Sequence, residues 1–333
     1  DAKRDPQKGL VEAWAAVTDG GEAPAPAQAV ARPIGEIGKE ESIARLPTGI
    51  GELDRVLGAG ASGAGLVPGS TVLIGGAPGI GKSTLLLQAA AALATRGTRV
   101  LYVSSEESAE QVRARAERLW SGAREGEGEK RNGEAIGEEH RIREVKRSAA
   151  ADLPELFLLA DTNLARIVEQ TRKTMPAVLI IDSVQMVYRS DLPAGPGSIT
   201  QLRRCCSELC YLAKMSRIAV VLVGHVTKSD QLAGPRLLEH VVDAVLSFEG
   251  DRYHAHRLVR AVKNRYGTTQ EIGIFEMTAG GLREVPEGAG VAAISGGDQK
   301  PRPGSVVCPI ISGTRGMLVE VQALTATGFL GGA

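Results

Sequence analysis

From residue 71 onward, short apolar runs rich in β-branched residues alternate with longer stretches whose apolar positions recur every three or four residues. Thr71-Val72-Leu73-Ile74 predicts a strand. The Leu- and Ala-rich stretch Thr84 to Ala94, closed by Gly97, predicts a helix with a C-terminal glycine. Thr98 to Ser104 predicts the next strand, and Ser108-Ala109-Glu110-Gln111 spells a capping box that opens a helix with Val112, Ala116 and Leu119 on one face. Strands follow over Leu156 to Ala160, Ala177 to Ile181 and Ile218 to Gly224. Helices are marked by Leu164, Ile167, Val168 and Thr171, and by Ser198 to Lys214. The strands are apolar throughout rather than alternating, as a mostly parallel sheet covered by helices on both faces requires, so the fold class is α/β. Past residue 240 the runs Val242 to Phe248, His256 to Lys263, Glu271 to Met277 and Leu282 to Val285 are separated by turn residues and predict an antiparallel extension of the sheet.

Composition adds limits. The chain has 333 residues, 43% of them hydrophobic, enough for a sizeable core. It contains no apolar stretch long enough to span a membrane, and no membrane partner is expected. It begins at Asp1 rather than Met, with no signal segment, and is expected to be a fragment. Lys plus Arg and Asp plus Glu each number 39, so bulk charge does not point to nucleic acid and any such contact has to come from a local basic surface. Residues 1–42, with the run Ala23-Pro24-Ala25-Pro26, read as a flexible arm, 43–288 as the main domain, and 289–333 as a linker with the start of another domain. The highly charged segment 121–150, balanced in sign, reads as a solvated insertion with some helix. Four cysteines, Cys205, Cys206, Cys210 and Cys308, make no disulfide framework. Cys206 and Cys210 stand one helical turn apart, but there is no second Cys or His pair at zinc spacing, so buried packing in a reducing compartment is expected.

The chemistry is concentrated in Gly76-Ala77-Pro78-Gly79-Ile80-Gly81-Lys82-Ser83, a complete G-x-x-x-x-G-K-S loop set between a predicted strand and a predicted helix. In that context the loop of residues 76–84, Thr84 included, turns its backbone N–H groups (Pro78 has none) toward phosphate oxygens at a helix N-terminus. Lys82 then reaches the β/γ-phosphates and Ser83 offers a hydroxyl to Mg²⁺, which makes ATP and Mg²⁺ the expected ligands. Val178-Leu179-Ile180-Ile181-Asp182 ends an apolar strand in a carboxylate suited to complete the Mg²⁺ shell, with capping of the next segment as the alternative. Glu106 and Glu107 follow the strand ending at Ser104, at the end of a parallel sheet where ligands bind. Either could serve as base, and Glu106 is preferred. His225 ends its buried strand and reads as a γ-phosphate sensor or as a satisfied core histidine. Lys228 and Arg236 lie in the polar loop beyond, facing nucleic acid or simply solvated. Lys263-Asn264-Arg265-Tyr266-Gly267 puts two cations at a strand tip, where Arg265 could act as an arginine finger on a neighbouring subunit.

Taken together these segments resemble the bacterial RadA (Sms) DNA-repair ATPases, relatives of RecA. The matching strings are Leu46 to Asp54, the loop 76–84, Tyr102 to Ser108, Ile181 to Gln185, Pro196 to Ser198, Gly224 to Lys228, Ala233 to His240 and Lys263 to Gly267, and the likeness runs from about residue 43 to 324. The resemblance implies a RecA-like core and a homohexameric, DNA-stimulated ATPase. Such an enzyme moves on single-stranded DNA, drives branch migration of branched recombination intermediates and works beside a RecA-type recombinase, in the bacterial cytoplasm at the nucleoid or in an organelle. It further implies trans-acting roles for Lys263 and Arg265, Glu106 as base, His225 as sensor and a DNA-facing 226–236 loop. The family also carries an N-terminal zinc module, whose ligands are absent from residues 1–40, and a Lon-protease-like C-terminal domain, of which Gly304 to Cys308 and Thr314 to Leu324 would be the opening strands. The insertion at 121–150 is foreign to the bacterial pattern. A regulatory RecA-fold ATPase that builds rings without DNA is the competing reading. A small-molecule kinase is the third, and it lacks an arginine-bearing lid here.

Overall fold

The computed structural model describes residues 44–60, 63–128, 153–225, 238–250, 256–285 and 303–323. Chain order begins with helix α1 (Gly51–Leu57) and a two-strand ribbon, β1 (Ala59–Gly60) and β2 (Gly63–Ala64). Strand β3 (Thr71–Gly76) then leads into α2 (Lys82–Thr95), and β4 (Val100–Ser104) into α3 (Ala109–Gly128). Next come β5 (Leu156–Ala160), α4 (Leu164–Thr174), β6 (Val178–Asp182), α5 (Ile199–Ser216) and β7 (Ala219–His225). The sheet closes with β8 (Ala244–Glu249), β9 (His256–Asn264), β10 (Ile272–Thr278) and β11 (Gly281–Glu284), and a separate hairpin follows, β12 (Ser305–Ser312) and β13 (Arg315–Gln322).

Local chemistry sets the helix ends. Ser108 and Gln111 form the reciprocal capping box, with the Ser108 N–H on Gln111 Oε1 at 2.9 Å and the Gln111 N–H on Ser108 Oγ at 3.4 Å. Asn163 caps α4 by accepting from the Ala165 N–H at 2.9 Å, and Ser198 caps α5 through the Gln201 N–H at 3.3 Å. At the end of α2 the chain turns at Gly97, whose N–H reaches Ala94 O at 2.9 Å, a glycine terminator as the sequence predicts.

Nine strands form one sheet in the order β11-β10-β9-β8-β3-β7-β6-β4-β5. Its two faces carry separate cores. Val72, Ile74, Tyr102, Ile180, Val221 and Leu246 pack against α1, α2 and α3 on one side. Leu73, Leu101, Val103, Leu179, Leu222 and Val245 meet α4 and α5 on the other, with Cys205, Cys206 and Cys210 buried among them. Burial pushes the Cys205 thiol up to about 12, so packing rather than reactivity describes these cysteines.

Two expectations change. Strand β5 is outermost and only partly covered, with Phe157 and Leu158 each 37% exposed, because an edge strand has a neighbour on one side alone. The segment after residue 240 is not wholly antiparallel, since β8 runs parallel to β3 and the reversal starts at β9. The charged insertion begins as the C-terminal part of α3, to Gly128. Its remainder, the N-terminal arm and the linker at 289–302 lie outside the described residues. The hairpin β12-β13 fits the expected strands at 304–308 and 314–324, and its tip sits on the core. Buried Arg315 pairs with Glu52 of α1 and donates to Val285 O at 2.8 Å, and the Thr314 N–H reaches Glu271 at 3.0 Å. No described helix is long and apolar enough to cross a membrane.

Candidate nucleotide site

Four strands adjacent in the sheet, β3, β7, β6 and β4, deliver the candidate residues to one edge, because all four run parallel and end there. The glycine loop follows β3, His225 closes β7, Asp182 closes β6, and Glu106 stands just past β4. This crevice at the C-terminal ends of parallel strands is where open α/β sheets bind ligands.

The loop has the backbone that its glycines permit. Gly81 is left-handed at φ 115°, and a Cβ there would stand 2.7 Å from Met277 Cε. Gly76 runs so close to β8 that a Cβ would meet the Phe248 carbonyl at 2.6 Å. Lys82, 3% exposed, curls back over the loop and donates to Gly76 O at 2.8 Å and Ala77 O at 2.9 Å, with His225 Nδ1 at 3.4 Å. Burial brings its pKa down to about 8 against the opposing pull of Asp182 and Glu106. From the far side, buried Arg257 of β9 donates to Ile80 O at 3.1 Å and fixes the loop's crest.

Asp182 is buried and accepts a 2.6 Å hydrogen bond from the Tyr102 hydroxyl. Burial and that carboxylate push the phenol well above its ordinary pKa, so Tyr102 stays a donor. Ser105 ties the ends of β4 and β6 together: its N–H reaches Asp182 O at 2.8 Å, its hydroxyl donates to Ser183 O at 2.7 Å, and it accepts the Ser183 N–H at 2.8 Å.

The adjacent glutamates separate cleanly. Glu106 faces the crevice, where it accepts from the Ser183 hydroxyl and lies 3.1 Å from His225 Nε2. Glu107 turns toward α3 and pairs with Arg115 at 2.9 Å. Gln185 holds the histidine from behind, donating to His225 O at 3.3 Å. The residues fit a nucleotide with Mg²⁺: one buried ammonium for phosphate, and hard oxygen donors from Ser83 and Asp182 for a hard cation.

Lys263 and Arg265 are elsewhere. Asn264 pairs with Ala244, the first residue of β8, which pairs with Val72 near the start of β3. The two cations therefore stand at the opposite end of the sheet, about 17 Å of strand away from their own phosphate loop. A β-bulge shapes this tip. Leu246 faces Ala261 while Val245 faces Lys263, so Val262 is the extra residue and Lys263 turns to the face opposite Ala261. Lys263 Nζ donates to Glu239 O at 2.5 Å and Val242 O at 2.7 Å, Asn264 Nδ2 to Leu57 O at 3.1 Å, and half-exposed Arg265 meets Asp243 at 3.2 Å. Lys228 and Arg236 lie outside the described residues. Tyr102, Ser183, Gln185, Asp243 and Arg257 were not singled out from sequence. Tyr102, Ser183 and Gln185 lie inside strings shared with the family but were given no role there, and the signals of Asp243 and Arg257 are adjacency to motifs or to an apolar run, which reads as packing.

A family model for AAA domains matches residues 62–231. The chain is 45% identical over 288 residues to the DNA repair protein RadA of Synechocystis sp., covering 86% of this chain and 53% of that protein. The chain belongs to the RadA/Sms family of AAA-domain proteins. RadA of Listeria monocytogenes is 44% identical, with 91% of this chain and 58% of the relative covered, and RadA of Bacillus subtilis is 43% identical, with 84% and 53% covered. The chain thus spans about half the length of the curated relatives it matches. Among solved structures, an isolated ATPase domain aligns with a TM-score of 0.58 at 16% identity, covering 74% of this chain and 94% of that one, a likeness of fold that agrees with a RecA-like core.

Proposed function

We propose that this chain is the ATPase core of a DNA-repair motor. It hydrolyses ATP in a homohexameric ring, moves on single-stranded DNA and drives branch migration of recombination intermediates beside a RecA-type recombinase. The observation that carries the ATPase reading is the convergence of Lys82, Asp182, Glu106 and His225 on one crevice. The DNA-repair part rests on the names of the RadA relatives.

Within this reading, the loop N–H groups and Lys82 hold the phosphates, and Ser83 and Asp182 hold Mg²⁺. Mg²⁺, when bound, neutralises charge on the β- and γ-phosphates. Glu106 orients and deprotonates the attacking water, with Ser183 keeping the carboxylate aimed and His225 linking it to Lys82. Lys263 and Arg265 serve the neighbouring subunit's γ-phosphate, a division supported by their distance from their own loop. Lys228 and Arg236 contact the DNA backbone.

The test is phosphate release by the chain with and without single-stranded DNA, read beside its mass in solution. Stimulation in a ring-sized assembly supports the motor. ATP turnover that ignores DNA in an otherwise intact ring would leave the regulatory ATPase instead.

A further inference from the structure

A long, half-exposed side chain such as Arg265 needs something to aim it if it is to meet a partner's phosphate. Arginine carries several soft torsions, and a finger that wanders loses most of its worth, since misplacement by about 1 Å can cost on the order of a hundredfold in rate. One carboxylate beside it is not free to wander. Asp243 is 2% exposed and stands just before β8. Its Oδ2 accepts the Thr71 N–H at 2.9 Å, at the first residue of the central strand β3, and its Oδ1 accepts from Arg265 Nη1 at 3.2 Å. Its backbone joins the same two places, with its N–H on Thr71 O at 2.9 Å and its carbonyl accepting the Arg265 N–H at 3.1 Å. Both carboxylate oxygens are therefore committed, one to the core and one to the finger.

We propose that Asp243 is the positioning residue of the trans site. It fastens one edge of the Arg265 guanidinium to the rigid start of β3, so that the remaining N–H donors point outward toward a neighbouring copy. The inference rests on the trans reading above. The surrounding contacts suit this role. Lys263 is tethered by the Glu239 and Val242 carbonyls beside Asp243, and Asn264 is tethered to the end of α1. The bulge at Val262 puts Lys263 on the face of Val245. Each of these neighbours of Arg265 in sequence thus has its own anchor, and Asp243 is the anchor of Arg265 itself. A carboxylate whose second oxygen is taken by a buried backbone N–H cannot follow the guanidinium outward, so it acts as a fixed mount.

The experiment is a mutant cycle on ATP turnover by the assembled chain, using Asp243→Asn, Arg265→Ala and the double variant, with kcat and KM measured separately. The expected result is a fall in kcat of about 10- to 100-fold for Asp243→Asn with KM within about twofold, and a double variant no worse than Arg265→Ala alone. Asp243→Ser, whose shorter side chain cannot span to Arg265, should show the same kcat loss with KM within about twofold. It keeps the test alive if Asp243→Asn fails to fold. Normal or raised turnover in both Asp243 variants overturns the inference, as does a double variant whose losses multiply. The trans reading fails separately, if Arg265→Ala itself turns over ATP normally.

Discussion

Raising the pH from 7 to 9 should weaken ATP binding about tenfold, through Lys82 alone. Burial is the cause. A lysine ammonium with 3% exposure has exchanged water for two loop carbonyls, and its pKa in the ligand-free chain falls to about 8. Phosphates arriving beside it favour the charged form and raise that pKa. Free and bound states then bind the proton differently. Affinity is constant below the free value and falls about tenfold, or 1.4 kcal/mol, per pH unit above it, which gives about a tenfold loss between pH 7 and 9. The sign for folding is opposite in consequence. The folded pKa lies below the ordinary 10.5, so the unfolded chain binds more protons and ligand-free stability should rise as pH climbs from about 8 toward 10.5. The assay is a titration with a slowly hydrolysed ATP analogue at fixed Mg²⁺, run by calorimetry in buffers of different ionisation enthalpy. At pH 9 it should register uptake of close to one proton on binding. Lys82→Arg keeps its charge throughout this range and should bind more weakly but without the pH dependence. Flat wild-type affinity across the range, or the same decline in Lys82→Arg, would refute the assignment.

Glu106→Gln should bind ATP normally and lose on the order of a hundredfold in turnover, whereas Glu107→Gln, whose partner is Arg115, should lose little; single-turnover phosphate release distinguishes them. Tyr102→Phe removes a 2.6 Å hydrogen bond to a buried carboxylate, which is worth about 1.5–3 kcal/mol, and should shift the Mg²⁺ dependence of activity several-fold while leaving kcat at saturating Mg²⁺ near normal. Arg315→Leu leaves Glu52 without its buried partner and should cost about 3 kcal/mol in a urea melt, with much of the loss recovered in the Glu52→Leu/Arg315→Leu double variant.

The phosphate loop and Asp182 were legible because their signals are local. A glycine spacing and a carboxylate closing an apolar run each sit within a handful of residues. Sheet position was less legible. The run Leu156 to Ala160 is as apolar as Val178 to Ile181, yet one lies exposed at the edge and the other inside, since an apolar run marks a strand but not its place in the sheet. The direction of β8 was misread for the same reason, as a strand's composition does not say which partner it runs with. Tyr102 reads as core from sequence because it lies in an apolar strand, and its bond to Asp182 joins residues 80 apart. The bulge at Val262 has no local signature, since apolar and polar residues do not alternate regularly along His256 to Asn264, and the contacts of Asp243 with Thr71 and Arg265 form only once β3, β8 and the 263–267 tip have come together.

The central claim, a site completed by the neighbouring subunit, is tested most directly by mixing Lys82→Ala, inactive alone, with Arg265→Ala, which turns over ATP poorly, over a range of ratios. A mixed ring contains interfaces with an intact loop on one side and an intact finger on the other, so ATP turnover should reappear and peak at intermediate ratios. Mixed rings that demonstrably form yet hydrolyse no ATP at any ratio would contradict it.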